Sequence, residues 1–400
     1  MKKKFLAIML SSLMIAGMLT GCGKEEPTTS NSGLSDYEVP IDTPTTDPTT
    51  PTEDKEPAEQ TPVEEPEPEN IEGKYRSELT NEWIDEELKD QRPIAVMVDN
   101  ELKKSGNTEH YGVNYADVVY EMVNSTANGR VTRLMCIVKD YEKVEKIGNV
   151  RSVRTTNFPV AFEYDAIILH DGGPFYIENF TGLKQCDHLS GGFARFDNGL
   201  ASEFTEYVTW AEYPEGHSGN PNGLQKRLEI SKFQLTYRDE YYDGPHFVFA
   251  DKKNDLSDEK NAKSATSVNL HSVFPHNNSE LNFNSSTGLY EYTEYSQLQK
   301  DPQNNNEVTA FENVILQKCI MTQLDDHGYM NYSVIGSGDG FYCTEGKYIP
   351  ITWEKSADSG AWGKITHYYS KETGEEIELN TGKTYVAIIP ADTFDQVSIK

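Results

Sequence analysis

Cysteine is scarce in this chain and never closely paired. Five cysteines occur in 400 residues. None forms a Cys-x-x-Cys, which removes the thioredoxin-type redox motif and the zinc knuckle. His-x-x-x-His is also absent, so a helical metal-ligand pair has no support. No Gly-x-Ser-x-Gly elbow surrounds Ser152 or Ser218, and covalent serine chemistry is not indicated. Positive charge is in deficit: 36 Lys and Arg stand against 65 Asp and Glu, a formal net charge of −29. Such a surface repels nucleic acid and does not adsorb electrostatically to anionic lipid.

The most informative stretch present is the start. Met1-Lys2-Lys3-Lys4 is basic, Phe5 to Met18 is apolar, and Leu19-Thr20-Gly21-Cys22 follows. A basic end, an apolar middle and small residues at a cut site form a secretory signal. The apolar run is short for a bilayer span. The arrangement resembles the bacterial lipobox, which makes Cys22 the acylated N-terminus after cleavage and the membrane a partner through that lipid. The expected location is extracytoplasmic, lipid-anchored to the outer face of the cell membrane.

Residues 1–21 therefore read as a signal peptide and 22–74 as a stalk. Thr43-Pro44-Thr45-Thr46-Asp47-Pro48-Thr49-Thr50-Pro51-Thr52 typifies the stalk. Its composition has too little apolar surface to offset ordering entropy. About 50 such residues reach ~40 Å as a coil and ~150 Å as extended polyproline II.

The folded remainder divides into 75–240 and 241–400. In the first part Pro93–Val98, Asp117–Met122, Val131–Val138 and Ala166–Leu169 read as strands. Helices are expected around Glu82 to Leu88, from Arg151 toward Glu163, and over Gly223 to Ser231. Continuous apolar strands between helical pieces predict a sheet covered on both faces. The second part is rich in Thr, Tyr, Asn and Val. Ser267–Leu270, Val314–Leu316, Tyr348–Trp353 and Thr384–Ile389 read as strands, and Gly336-Ser337-Gly338-Asp339-Gly340 as a turn. The expected class is α+β: an N-terminal layered α/β sheet domain with a β-rich C-terminal domain.

Four of the few arginines, Arg130, Arg133, Arg151 and Arg154, fall in one short stretch. Arginine forks onto carboxylate or phosphate, so an anion site is one reading. Pairing with the chain's many acids is the other. Arg151 and Arg154, three apart, would share a face of the expected helix. His170-Asp171-Gly172-Gly173 leaves a strand directly, as sites on α/β sheets often do, or forms a glycine turn. His170 suits acid–base work, with Asp171 or Glu121 as orienter. Asp99 and Asn100 end the first strand and would join the same crevice if strands one and four are neighbours. Cys186-Asp187-His188 reads as a loop. Cys136 and Cys319 sit in core-like runs, and spacing alone assigns no disulfide among Cys136, Cys186, Cys319 and Cys343. The many tyrosines and phenylalanines serve packing, or line a glycan or peptide groove. No cofactor or metal set is indicated.

Arg92-Pro93-Ile94-Ala95-Val96-Met97-Val98-Asp99-Asn100, Ala116-Asp117-Val118-Val119-Tyr120-Glu121, Arg130-Val131-Thr132-Arg133, Val150-Arg151-Ser152-Val153-Arg154 and Tyr164–Gly173 together resemble the YerB-like lipoproteins of Gram-positive bacteria. Thr352-Trp353-Glu354-Lys355 and Asn380–Val386 extend the resemblance into the second half. It implies an N-terminal α+β layered domain, a C-terminal β-rich domain and no established activity. Asp171 stands where relatives usually carry a second histidine, and the family's His-Asn-Leu-Tyr is only echoed by His217-Ser218-Gly219-Asn220. These departures favour an envelope binding or scaffolding protein with an Arg-lined anion site, whose partner is a wall polymer or envelope protein. The alternative is an envelope hydrolase or transferase acting on an anionic or phosphate-containing wall substrate.

Overall fold

The computed structural model describes residues 70–400 apart from 104–109, 128, 214–217, 220–221, 357–361 and 363. Cys22, the signal and His217 lie outside the described residues. Strands of the main sheet are β1 (Ile94–Asp99), β2 (Val118–Ser125), β3 (Val131–Val138), β4 (Ile167–His170), β5 (His188–Ser190) and β6 (Lys263–Ser264). A second sheet is built around β7 (Ser267–Asn269), β8 (Glu280–Asn284) and β9 (Leu289–Glu294). The main sheet is completed by β10 (Asn313–Cys319), β11 (Gly336–Thr344), β12 (Lys347–Lys355), β13 (Thr366–Ser370) and β14 (Thr384–Pro390).

The main sheet has 11 strands in the order β6-β12-β11-β10-β14-β2-β3-β1-β4-β5, with β13 also on β12. The join between the two halves of the sequence is β14 against β2, parallel, with Thr384 opposite Val118 and Ile388 opposite Met122. Ile94 to Val98 have no exposed surface, and every residue of β2, β3 and β14 is buried. Continuous apolar strands of this kind need cover on both faces. A short helix, α1 (Asn157–Ala161), lies on one face, with Asn157 against the sulfurs of Met122 and Met135. The second sheet lies on the other, reaching Glu121 through Ser279 and Tyr292. The protein is thus mostly β, with helices reduced to short pieces.

Four expectations are corrected. Trp83–Asp85 pairs as a strand with Lys74–Arg76, leaving one 3-10 turn at Glu86–Leu88. The helix expected from Arg151 starts only at Asn157. The backbone before it is engaged elsewhere: Val150 N–H donates to Glu206 O and Arg151 N–H to Met97 O. Arg151 and Arg154 therefore share no helix face. The Gly336–Gly340 cluster is ladder, paired from Lys355 to Ile351. A Cβ at Gly338 would stand 2.6 Å from Trp353 Nε1 and 2.8 Å from Lys318 O. Glycine is there because a side chain and a backbone approach closely, not because the chain turns. The helix over Leu224–Ser231 forms as read.

Candidate functional site

Strand alternation sorts the candidate residues before any contact is considered. Asp99 pairs with Arg133 across β1 and β3, so they share a face. Glu121 pairs with Leu134, two residues from Thr132, and belongs to the opposite face. Asn100, one residue past Asp99, turns to Glu121 as well, donating from Nδ2 to Thr132 Oγ1 at 2.8 Å. The sheet separates Glu121 and Asn100 from the arginines.

The arginine face is built by residues 149–154. This segment inserts beside the ends of β1 and β4: Asp99 N–H donates to Asn149 O, and Asp171 N–H to Arg151 O. It thereby lies between Asp99 and His170, which make no contact among the described residues, although β1 and β4 are parallel neighbours. Arg133 Nη1 donates to Ser152 O at 2.6 Å. Arg154 Nη1 donates to the same oxygen at 3.3 Å and to Val153 O at 3.1 Å. The Arg154 guanidinium lies over the Tyr329 ring, 5.0 Å from its centroid. Arg151 stands beside them but is neutralised, with Asp99 at 3.5 Å, Glu203 at 3.3 Å and Glu101 at 3.9 Å. Asp99 is also held by Lys103. Arg130 is not part of the cluster; it takes the surface carboxylate of Asp392 at 2.7 Å.

Among the described residues, neither Arg133 nor Arg154 has a carboxylate partner. The Nε atoms of both are buried without a hydrogen-bond partner. Arg133 is 7% exposed. Burial, then repulsion from Arg154 and Arg151, holds its guanidinium well below the ordinary range. Burial pushes Arg154 down to about 10, with Arg151 adding to the shift and Tyr329 opposing it. A buried and a half-buried like charge side by side are unfavourable until an anion joins them.

His170 is a satisfied core histidine. Its Nδ1 lies 2.7 Å from Gly172 O and its Nε2 lies 3.1 Å from His188 Nδ1. A carbonyl only accepts, so Nδ1 carries the proton and Nε2 accepts from His188. Burial pushes His170 down to about 4. Gly172, at φ +72°, makes the turn that presents this oxygen. Gly173 follows it; a Cβ there would stand 2.5 Å from Ile177 Cδ1, which would have to shift. Asp171 points to Arg195 at 3.3 Å, and Arg195 bonds Glu206 at 2.5 Å. Burial first, then Asp171, raises Glu206 to about 7. His170, Asp171 and Glu121 are thus not assembled into one constellation.

Glu121 is a buried cross-link between sheets. One oxygen accepts from Thr132 Oγ1 at 2.6 Å, Ser279 Oγ at 2.7 Å and Asn100 Nδ2 at 3.3 Å. The other accepts from Tyr292 OH at 2.9 Å and Tyr385 OH at 2.5 Å. Tyr292 OH also lies 3.2 Å from Glu294, a second buried carboxylate. Burial, then Glu121, raises Glu294 well above the carboxylate range.

Several members of these clusters were not singled out in the sequence. Glu294 had a usable signal: Tyr290, Tyr292 and Glu294 alternate along one strand, which puts a carboxylate on a core-facing row. Tyr329, Arg195 and Glu206 come from distant loops and edges, and no local spacing marks them; His188, expected in a loop with Cys186 and Asp187, instead opens strand β5. Among the described residues no group of three or more His, Cys, Asp or Glu could hold a metal ion. Cys136, Cys186, Cys319 and Cys343 are buried free thiols. A separate groove of about 470 Å³, lined by Phe196, Trp210 and Tyr213 with Lys146, includes none of the arginines.

Comparison with known proteins gives a consistent picture. Residues 79–216 match the family described as "Protein of unknown function (DUF3048) N-terminal domain", and residues 268–386 match its C-terminal domain. A Bacillus subtilis (strain 168) protein named "Putative lipoprotein YerB" is 23% identical over 325 residues, covering 79% of this chain and 87% of the relative. The crystal structure of YerB from Bacillus subtilis superposes with a TM-score of 0.65 at 19% identity, over 82% of this chain and 99% of that one.

Proposed function

This chain belongs to the DUF3048 family through both its N- and C-terminal domains, and from that premise we propose that it is a membrane-tethered binding protein of the cell envelope. The lipobox-like Leu19–Cys22 and the Pro/Thr/Glu-rich stalk support a body held off the outer face of the membrane by lipid on Cys22. The relative's name as a lipoprotein agrees with that placement. Residues 75–240 and 241–400 act as one body, because β14 completes the sheet begun by β1 to β3.

The ligand is an anion carried by an envelope component, and the face that takes it is Arg133 with Arg154. A single observation carries this reading. In a chain of net charge −29, two adjacent guanidiniums lack, among the described residues, both a carboxylate partner and a partner for Nε. Local positive charge of this kind survives only where it has use or counter-ion. The hydrolase or transferase reading loses support: His170 is closed by Gly172 and His188, and Glu121 lies across the sheet.

Retention on phosphocellulose at low salt tests the reading, using the full chain in detergent. A net-acidic protein is repelled by an anionic matrix unless a local site overrides its charge. Wild type is expected to be retained and Arg154→Ala to flow through. Flow-through of wild type would remove the anion site.

A further inference from the structure

The geometry points to the terminal phosphate of a monoester as the anion, gripped by the Nε–Nη2 edges of Arg133 and Arg154 together; this rests on the anion-site reading above. A guanidinium presents two bidentate edges, one through Nη1 and Nη2 and one through Nε and Nη2. In Arg133 the Nη1 is engaged by Ser152 O, and in Arg154 by Ser152 O and Val153 O. The same edge, Nε with Nη2, is therefore left in both. Neither Nε has a partner among the described residues.

The shared acceptor matters as much as the free edges. Both Nη1 groups bond one oxygen, so the two guanidiniums stand beside each other rather than merely in one region. Tyr329 covers Arg154 by its ring face. Stacking of that kind orients the plane and takes up none of the N–H donors of the edge. Arg151 adds no free charge, since Asp99, Glu101 and Glu203 surround it. What the site offers is two forks held in no ion pair among the described residues, with Glu101 drawing on Arg133 only from a distance.

Ligand classes differ in how they fill this. A carboxylate has two coplanar oxygens and one charge, which fills one fork and leaves the other with its buried Nε. A phosphodiester likewise has two free oxygens and one charge. A phosphate monoester has three equivalent oxygens and nearly two charges at neutral pH. Two forks sharing the middle oxygen use all three, and the charges cancel. The chemistry is the same whether the phosphate ends a lipid headgroup or a soluble or polymer-borne group.

Calorimetric titration of the full chain in detergent tests this. The probes are inorganic phosphate, glycerol 1-phosphate, dimethyl phosphate and acetate, with phosphatidic acid vesicles as the lipid source. Inorganic phosphate and glycerol 1-phosphate are expected to bind one site at pH 7.5, with acetate and dimethyl phosphate roughly tenfold weaker or worse. Arg154→Lys keeps the charge and removes the fork, and is expected to weaken phosphate roughly tenfold. Arg133→Lys does the same, with an unchanged melting curve as its folding check. Affinity is expected to fall below pH ~6, as the dianion takes a proton. Vesicle binding without glycerol 1-phosphate binding assigns the group to a lipid, and the reverse to a soluble or polymer source; both support the inference. Acetate binding as tightly as phosphate, or an Arg154→Lys chain that binds phosphate like wild type, overturns the monoester and leaves the anion site standing. Heat from no probe at all overturns the anion site itself.

Discussion

Replacing Glu121 separates structure from chemistry at the residue that sequence placed among the catalytic candidates. Its carboxylate accepts five hydrogen bonds, from Thr132, Ser279, Asn100, Tyr292 and Tyr385. Glu121→Ala removes every acceptor at once. Each orphaned buried donor costs about 1–3 kcal/mol. The sum is discounted, because Ser279 Oγ and Tyr292 OH already lie 3.5 Å apart and can re-pair. With the void added, the loss is about 4 kcal/mol. For a folded body of this size that is a melting-point drop of roughly 5–12 °C. Glu121→Gln keeps the shape, and hydroxyls can rotate to accept from the new amide, so its loss is about 1–2 kcal/mol. The pH dependence gives a second readout. Burial raises the Glu121 carboxyl above its ordinary value of 4.5, against the hydrogen bonds that lower it. The native chain then holds this proton to higher pH than the unfolded chain. Stability therefore falls as pH rises from 4.5 through the folded value. Glu121→Gln is expected to flatten that slope in urea unfolding midpoints. An alanine variant melting within a degree of wild type, with the slope unchanged, would refute the cross-link.

The remaining expectations are more local. Glu206, raised to about 7, has the same sign; Glu206→Gln is expected to reduce the loss of stability between pH 4.5 and 7, read from melting curves across that range. Arg130→Ala breaks only the surface pair with Asp392, so it is expected to change stability by less than about 1 kcal/mol and to leave phosphocellulose retention intact. Gly338→Ala drives a methyl into Trp353 and Lys318 O and is expected to cost about 1–3 kcal/mol by chemical denaturation. A chain ending at residue 240 loses β14 beside β2 and three of the five Glu121 donors. It is expected to lack cooperative melting by circular dichroism.

Strands are legible where they are buried on both faces, because Ile94–Val98, Leu134–Val138 and Tyr385–Ile389 are continuous apolar runs. The helix expected from Arg151 is shorter in the structure, starting at Asn157. Around Arg151 the carbonyls of Met97 and Glu206 take the backbone N–H groups that a helix would use. The Gly336–Gly340 run illustrates the opposite error. Gly338 carries no side chain because of Trp353 and Lys318 O, and Gly340 because of Leu316 O and Ile351, all outside the run itself. The arginines were legible as a cluster, yet which of them are free was not. That depends on Asp392 taking Arg130 and on Asp99, Glu101 and Glu203 taking Arg151, all decided by tertiary packing. The face of Glu121 could be settled only by the β2–β3 register.

The most direct test of the anion site is an anomalous difference map from a crystal soaked in tungstate, a tetrahedral dianion that replaces phosphate. The account places the tungsten peak between Arg133 and Arg154, with oxygens on both Nε atoms. A peak elsewhere, with these guanidiniums left as they stand in the unsoaked crystal, would contradict it.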